Sequence, residues 1–260
     1  NVDVIHLGLL NLDRVRTLDH YFWKQIQTFH SVNYVALATT QGEYIGTKIR
    51  EDGSIIVEVQ DNLTAGHLET WETDNQGNYL KRSNTKPDYD PRKRPWYQAA
   101  VKAGKPVWTD IYVYFSGLST AISANQPVYD KQGQLLAVAS ADLTLFEISK
   151  FLRQLAVGQT GQTFILERSG SLVATSTQEK PYRYTGQLQK AEPFKAIDSE
   201  EPLTRATATY LLQRFGTLSH IQHSEQLDFI SQGQRHFLQV VPFQDKWGLD
   251  WLIVVVIPEN

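Results

Sequence analysis

Tyr34-Val35-Ala36-Leu37-Ala38-Thr39-Thr40-Gln41-Gly42-Glu43-Tyr44-Ile45-Gly46-Thr47-Lys48-Ile49-Arg50 is the stretch that decides the fold. Here the apolar pattern changes to a period of two. Gln41-Gly42 separates Tyr34–Thr40 from Glu43–Arg50, the signal of two antiparallel strands joined by a tight turn. Upstream, Ile5, Leu9, Leu12, Val15, Leu18, Phe22, Ile26 and Phe29 step by three and four. That spacing predicts one long amphipathic helix over 1–33, ending near His30–Asn33. The switch of period at Tyr34 makes the chain α+β.

Downstream the two-residue pattern continues. Asp52-Gly53 leads into a strand at Ser54–Gln60, and Asp74-Asn75-Gln76-Gly77 separates strands at His67–Thr73 and Asn78–Arg82. A polar stretch, Ser83–Asp90, precedes a short helix at Pro91–Ala103, with Pro near its start. Strands follow at Val107–Tyr114, Ser119–Tyr129 and Leu135–Asp142, then a helix at Thr144–Ala156 with Leu145, Ile148, Leu152 and Leu155 on one face. The pattern then restarts. Strands are expected at Thr163–Glu167 and Leu172–Thr175, a helix at Thr204–Phe215, and strands at Asp228–Ser231, His236–Pro242 and Leu249–Val256. Asp130-Lys131-Gln132-Gly133-Gln134-Leu135-Leu136-Ala137 and Glu167-Arg168-Ser169-Gly170-Ser171-Leu172-Val173-Ala174 share one pattern. It is acid-x-x-Gly-x-Leu-aliphatic-Ala. This weak repeat suggests two antiparallel-sheet modules in tandem, at 34–143 and 158–260, joined by the helix at 144–157.

The composition narrows the function. The chain has 260 residues, enough for a sizeable core without staples. Lys plus Arg is 25 and Asp plus Glu is 28, a net charge of −3, so no basic excess points to nucleic acid. With Cys 0, disulfide scaffolds, thiolate metal sites and cysteine nucleophiles are excluded. His220-x2-His223 has no third ligand at metal spacing and reads as a polar loop. No His-Glu-x-x-His, Gly-x-Ser-x-Gly or phosphate-loop pattern occurs, so no catalytic set, metal or cofactor can be read. The longest apolar run, Trp251–Ile257, is strand length, against roughly 20 residues for a membrane helix. With Met 0, position 1 included, the chain is expected to be a segment of a longer protein.

The densest chemistry lies in Tyr89-Asp90-Pro91-Arg92-Lys93-Arg94-Pro95-Trp96-Tyr97. A Pro-stiffened loop carrying surface cations is one reading. A recognition site is the other: Arg offers a fixed fork of donors to a carboxylate, Trp a flat wall and one N–H, and Tyr its hydroxyls. Pro lowers the ordering cost of binding.

These residues resemble those of the double Cache (dCache_1) sensor domains, extracytoplasmic ligand-binding regions of bacterial chemoreceptors, histidine kinases and cyclases. The resemblance covers almost the whole chain. It implies a long helix carrying a membrane-distal PAS-like module and then a membrane-proximal one, opening at Gly158-Gln159-Thr160-Gly161-Gln162-Thr163-Phe164-Ile165. The amino-acid-binding subset carries Tyr-x4-Arg-x-Trp-Tyr, then a later Tyr and a later Asp. Tyr89, Arg94, Trp96, Tyr97, Tyr112 and Asp142 fill these positions in order. Where some receptors place a further Asp this chain has Tyr114, and Asp110 is a candidate substitute.

The chemistry of an α-amino acid agrees with that set. Arg94 and Trp96, with Tyr89 or Tyr97, would hold the carboxylate; Asp142 with Tyr112 would take the ammonium, the alternative for Asp142 being a helix N-cap before Thr144. The ligand side chain has Tyr114, Phe115, Trp71 and Trp108 as candidate neighbours. The expected function is therefore an extracytoplasmic sensor of an amino acid or related amine or carboxylate in a membrane receptor. Flanking membrane helices are expected on either side of the segment, and the 1–33 helix is a candidate homodimer surface. Two other classes stay open: an extracytoplasmic enzyme on small polar substrates, and a ligand-free dimerisation scaffold.

Overall fold

The computed structural model describes residues 12, 14–28, 32–50, 52–114, 119–155, 157, 160–185 and 190–259. Among the described residues the first helix is α1 (Asp19–Ile26), which follows a 3-10 turn at Val15–Leu18; the expected helix over 1–33 falls outside the described residues at 1–11, 13 and 29–31. Phe22 and Ile26 are fully buried, with Val15 and Leu18 from the turn beside them, as the three-and-four spacing requires. The helix stops before His30–Asn33, because the Thr28 N–H bonds to the Gln25 carbonyl at 3.0 Å and tightens the last turn.

The chain folds as two compact units, 1–110 with 122–143, and 111–121 with 144–260. In the first, β1 (Tyr34–Thr39), β2 (Tyr44–Ile49), β3 (Ile55–Gln60), β4 (Leu68–Thr73) and β5 (Tyr79–Lys86) form a meander. A 3-10 turn at Pro91–Lys93 leads to α2 (Pro95–Ala103). Then come β6 (Val107–Trp108), β7 (Tyr112–Val113), β8 (Thr120–Tyr129) and β9 (Leu135–Thr144). The sheet order is β5-β4-β3-β2-β1-β9-β8-β6, and β7 pairs with the start of β8. Val35, Leu37, Ile45, Val57, Val59, Ala137 and Ala139 point to one face and are sealed by Val15, Leu18, Phe22 and Ile26.

In the second unit α3 (Leu145–Gln154) precedes β10 (Gln162–Glu167) and β11 (Leu172–Thr175). A ribbon of β12 (Arg183–Thr185) and β13 (Lys190–Glu192), helix α4 (Pro202–Phe215), and strands β14 (Glu225–Ser231), β15 (Gln234–Gln244) and β16 (Asp250–Pro258) follow. The five-stranded sheet runs β11-β10-β16-β15-β14. Phe164, Leu166, Leu238, Val240, Leu252, Val254 and Val256 form its core with Ala208 and Leu211 of α4. The repeat noted in the sequence is one turn used twice. Gly133 and Gly170 take φ of 82° and 85°, and each donates to the carbonyl of the acid three residues back, Asp130 or Glu167.

Four expectations are corrected. The polar stretch after Arg82 is not loop throughout, because ladder pairs Thr70↔Asn84, Glu69↔Thr85 and Leu68↔Lys86 carry β5 on as an exposed edge strand. The strand over Val107–Tyr114 breaks in two where the Thr109 hydroxyl, not a carbonyl, accepts the Ser123 N–H at 3.0 Å. The helix over Pro91–Ala103 is interrupted at Arg94, whose φ of −81° and ψ of 147° are those a following proline demands. Between the strand at Leu172–Thr175 and the helix at Thr204–Phe215, where no element was expected, lies the β12–β13 ribbon.

Asp61 ties the N-terminal turn to the sheet. Its carboxylate accepts from the Leu63 and Thr64 N–H groups, both at 3.0 Å, and from Arg16 Nε at 2.9 Å and Nη2 at 3.3 Å. Burial opposes its ionisation, but Arg16 and those amides outweigh burial and hold the carboxyl below the usual range. Asp61→Ala is expected to cost about 2 kcal/mol in urea unfolding, from a lost cap and a lost ion pair. The stabilisation is present above the ordinary carboxylate pKa of about 3.9 and disappears as pH falls through the depressed folded value. Equal wild-type and variant stability at pH 6 would refute this.

Candidate functional site

Cross-strand partners share a face, and neighbours along a strand do not. Asp142 pairs with Tyr34, Ser140 with Ala36, Ala36 with Gly46, Gly46 with Glu58, and Glu58 with Thr70. The sheet face opposite α1 therefore carries Asp142, Ser140, Tyr34, Tyr44, Glu58 and Thr70.

Four hydroxyl and carboxyl groups on this face are linked. The Tyr34 hydroxyl donates to Glu58 Oε2 and, with its proton directed there, accepts from the Tyr44 hydroxyl. Glu58 Oε1 accepts from Thr70 Oγ1 at 3.2 Å. Gly46 makes room for the pair of rings. A Cβ there would lie 2.5 Å from the Tyr44 hydroxyl and 2.9 Å from that of Tyr34. Burial, and then the charge of Glu58 beside Tyr34 and of Tyr89 and Glu58 beside Tyr44, push both phenols well above their ordinary pKa.

The Tyr89–Tyr97 segment covers this face. Its start is fixed by Asp90, which accepts from the Arg92 N–H at 3.0 Å and from Arg92 Nε at 3.0 Å. Arg92 in turn donates to the Thr40 carbonyl at 3.3 Å, pinning the segment to the β1–β2 turn. Arg94 is the N-cap residue of α2, directly before Pro95. Tyr89 meets Tyr44 edge to face at 5.4 Å, and Trp96 lies 6.3 Å from the same ring. The Trp96 side chain hydrogen-bonds the Tyr89 hydroxyl. That hydroxyl is raised above its ordinary pKa by burial first, then by Glu58 and Asp142, against the opposing pull of Arg94. One phenol thus feels the charges of both Arg94 and Asp142.

Asp142 lies inside β9 and is 4% exposed. Its Oδ1 accepts from Ser123 Oγ at 2.7 Å and from Ser140 Oγ at 2.9 Å. The capping alternative falls to Thr144, whose hydroxyl accepts the Glu147 N–H at 3.3 Å.

Tyr89, Arg94, Trp96 and Asp142 are therefore brought together in the first unit. Tyr97 is buried against Trp96, with ring centroids 5.7 Å apart, and its phenol is raised by burial more than Arg92 lowers it. Asp110 is exposed. Tyr112 and Tyr114, 5.9 Å apart and edge to face, belong to the 111–121 segment grouped with the second unit. Trp71 is corrected as a ligand neighbour: it pairs with Val57 on the opposite, apolar face and stacks on Tyr79 at 5.4 Å. Trp108 pairs with Ala124 and so falls on the face opposite Ser123. Phe115 lies outside the described residues. Tyr34, Tyr44, Gly46, Glu58, Ser123 and Ser140 were missed; each is an isolated residue on its own strand, and only register gathers them.

A groove of about 390 Å³ lies in the second unit, between α4 and β14, lined by Arg205, Tyr210, Gln213, Phe229 and Ser231 among others. None of its lining residues is a carboxylate, so it offers an ammonium group no counter-charge. His220 donates Nδ1 to the Phe215 carbonyl at 2.8 Å, a local turn contact. No helix among the described residues is long and apolar enough to cross a membrane.

Two antiparallel PAS-like sheet modules, the first with a polar face under an Arg-x-Trp-Tyr segment, define the class. The family model dCache_1, described as Cache domain, matches residues 16–260, and the chain belongs to that family. The methyl-accepting chemotaxis protein McpB of Bacillus subtilis is 36% identical over 99 residues, 38% of this chain and 14% of that receptor. The curated relatives match over less than a fifth of their own length. The ligand-binding domain of the Pseudomonas aeruginosa amino acid chemoreceptor PctB, in complex with L-Arg, matches at a TM-score of 0.56 and 19% identity, covering 99% of this chain and 84% of that one. The extracellular domain of the histidine kinase mmHK1S-Z3 matches at 0.59 and 12% identity, covering 99% and 85%. At these identities the likeness is one of fold.

Gly46→Ala is expected to force the Tyr34 and Tyr44 rings apart and to cost about 1–3 kcal/mol in chemical denaturation; an unchanged midpoint would show that the rings are not crowded there. In a spectrophotometric titration Tyr34, Tyr44 and Tyr89 are expected to stay neutral past pH 10 in the folded chain. Their raised values stabilise the fold fully below the ordinary tyrosine pKa of about 10, and the gain is lost as pH rises toward the folded values. Ionisation of all 12 tyrosines with an ordinary midpoint would contradict the burial described.

Proposed function

We propose that this chain is the extracytoplasmic sensor domain of a bacterial transmembrane receptor and that its first unit binds an α-amino acid. The observation that carries the reading is Tyr89, whose hydroxyl is acted on by both Arg94 and Asp142. A cation and a buried carboxylate acting on one polar group suit a ligand with a carboxylate and an ammonium on one carbon. Arg94 takes the carboxylate in its fork, with α2 beginning beside it. Trp96 and Tyr89 wall the ligand. Asp142, oriented by Ser123 and Ser140, takes the ammonium, which compensates the burial of its charge. Tyr112, Tyr114 and Asp110 remain proposed ligand-binding residues, as does Tyr97, a packing partner of Trp96. The membrane-distal and membrane-proximal modules proposed here are 34–143 and 158–260, linked by 144–157.

A binding role, rather than catalysis, is supported by the names of similar proteins: methyl-accepting chemotaxis proteins, and ligand-binding domains of an amino acid chemoreceptor in complex with L-Arg and L-Gln. Ligand binding shifts a two-state equilibrium by its differential affinity for the two states. An amino acid of about 5–12 heavy atoms at about −0.8 kcal/mol each gives roughly −4 to −10 kcal/mol, millimolar to submicromolar affinity.

A thermal-shift screen of the common amino acids, amines and organic acids is expected to raise Tm for a subset of amino acids and for neither half-ligand class. By calorimetry, Arg94→Ala is expected to abolish that binding and Asp142→Asn to weaken it by at least about thirtyfold, each leaving a buried charge unmet. Binding unchanged in Arg94→Ala would sink the site assignment, and a screen without any shift would favour the scaffold reading.

A further inference from the structure

Glu58 is a charged group on the polar face that the α-amino and α-carboxyl ends of a ligand leave unused; by register Lys48 and Glu72 share that face toward its end. Its side chain is 14% exposed and is held in place by Tyr34 and Thr70. Among the described residues its one ion-pair partner is Lys86, with Nζ 3.9 Å from Oε1, too far for a hydrogen bond. Lys86 ends β5, the edge strand, on the flexible stem that lets lysine occupy or leave such a position.

Asp142 on β9 and Glu58 on β3 are three strand steps apart, about 14 Å between backbones. Both side chains rise from the same face, and Tyr34 spans the interval: its backbone pairs with Asp142 and its hydroxyl reaches Glu58. Tyr34 and Tyr44 line that interval as aromatic surface. At that strand separation an amino acid with a three- or four-carbon stem is long enough to run from one carboxylate to the other. Such a stem packs on ring faces, which also favour a terminal cation.

We infer that Glu58 is a specificity-determining residue that selects an amino acid with a long cationic side chain, and that Lys86 is a tethered cation occupying the same carboxylate until that ligand displaces it. The inference rests on the proposed amino-acid site in this unit. Glu58 reads the side chain while Arg94 and Asp142 read the α-carbon, so the two can fail separately. Lys86 makes the selection competitive: a neutral side chain gains nothing by displacing it, whereas a ligand ammonium or guanidinium that reaches hydrogen-bond distance does.

The test is calorimetry on the 260-residue chain with L-lysine and L-norleucine, which share a stem and differ by the terminal ammonium. Lysine is expected to bind at least tenfold more tightly. Glu58→Gln should weaken lysine at least tenfold more than norleucine, and Lys86→Met should tighten lysine several-fold. Because Glu58→Gln could perturb the tyrosine contacts, both variants are compared by urea midpoint, and Lys86→Met supplies a measurement independent of that change. Norleucine binding as tightly as lysine, an unchanged ratio in Glu58→Gln, or lysine weakened by Lys86→Met would overturn the inference and leave the amino-acid site standing. Binding of neither ligand nor of any other amino acid would remove the site and the inference together.

Discussion

Tyr34 and Val35 are neighbours in the chain and lie on opposite sides of one sheet. Val35 is sealed under Phe22 and Ile26, while Tyr34 reaches across to Glu58. The same division repeats at Tyr44 and Ile45, and at Val57 and Glu58. The pleat permits this because successive side chains leave a strand in opposite directions. Its consequence is that the site cannot slip. A shift of one residue in any of β1, β2, β3 or β9 would put an acid or phenol into the apolar core and an apolar side chain onto the polar face. The packing of α1 therefore fixes the register of the polar face it does not touch.

On that face the energetics run through few groups. A carboxylate as buried as Asp142 is tolerable when hydroxyls donate to it, and Ser123 and Ser140 do so from adjoining positions. Glu58 is satisfied in the same way by Tyr34 and Thr70. Hydroxyl donors let two acids share one sheet face, and the phenols among them become harder to ionise as a result. Gly46 belongs to this arrangement because any side chain would occupy the space where the hydroxyls meet.

The Tyr89–Tyr97 segment was legible as a recognition segment because its residues are contiguous. Two prolines, an Asp cap and alternating Arg and aromatic residues state their geometry locally: Pro95 dictates the backbone of Arg94, and Asp90 dictates the turn at Pro91–Lys93. The helix-to-strand change at Tyr34, the hairpin turns and the repeat of Gly133 and Gly170 were equally local. Trp71 illustrates where local reading fails. It has the chemistry of a ligand wall, but strand parity turns it into the core, and pairing of β4 with β5 slips between Thr70 and Trp71. The sequence carries no mark of that irregularity.

The sequence by itself determined most of the elements, pointed to the family and marked the Arg94-centred half of the candidate site, because turns, proline and periodicity act over a few residues. Only the tertiary structure decided the other half. Tyr34, Tyr44, Glu58 and Ser123 come from four strands, and hydrogen-bonded register sets how their side chains gather on the face of Asp142, which was already a candidate in the sequence. That register depends on burying the opposite face under α1, a long-range balance to which no single stretch of the chain refers.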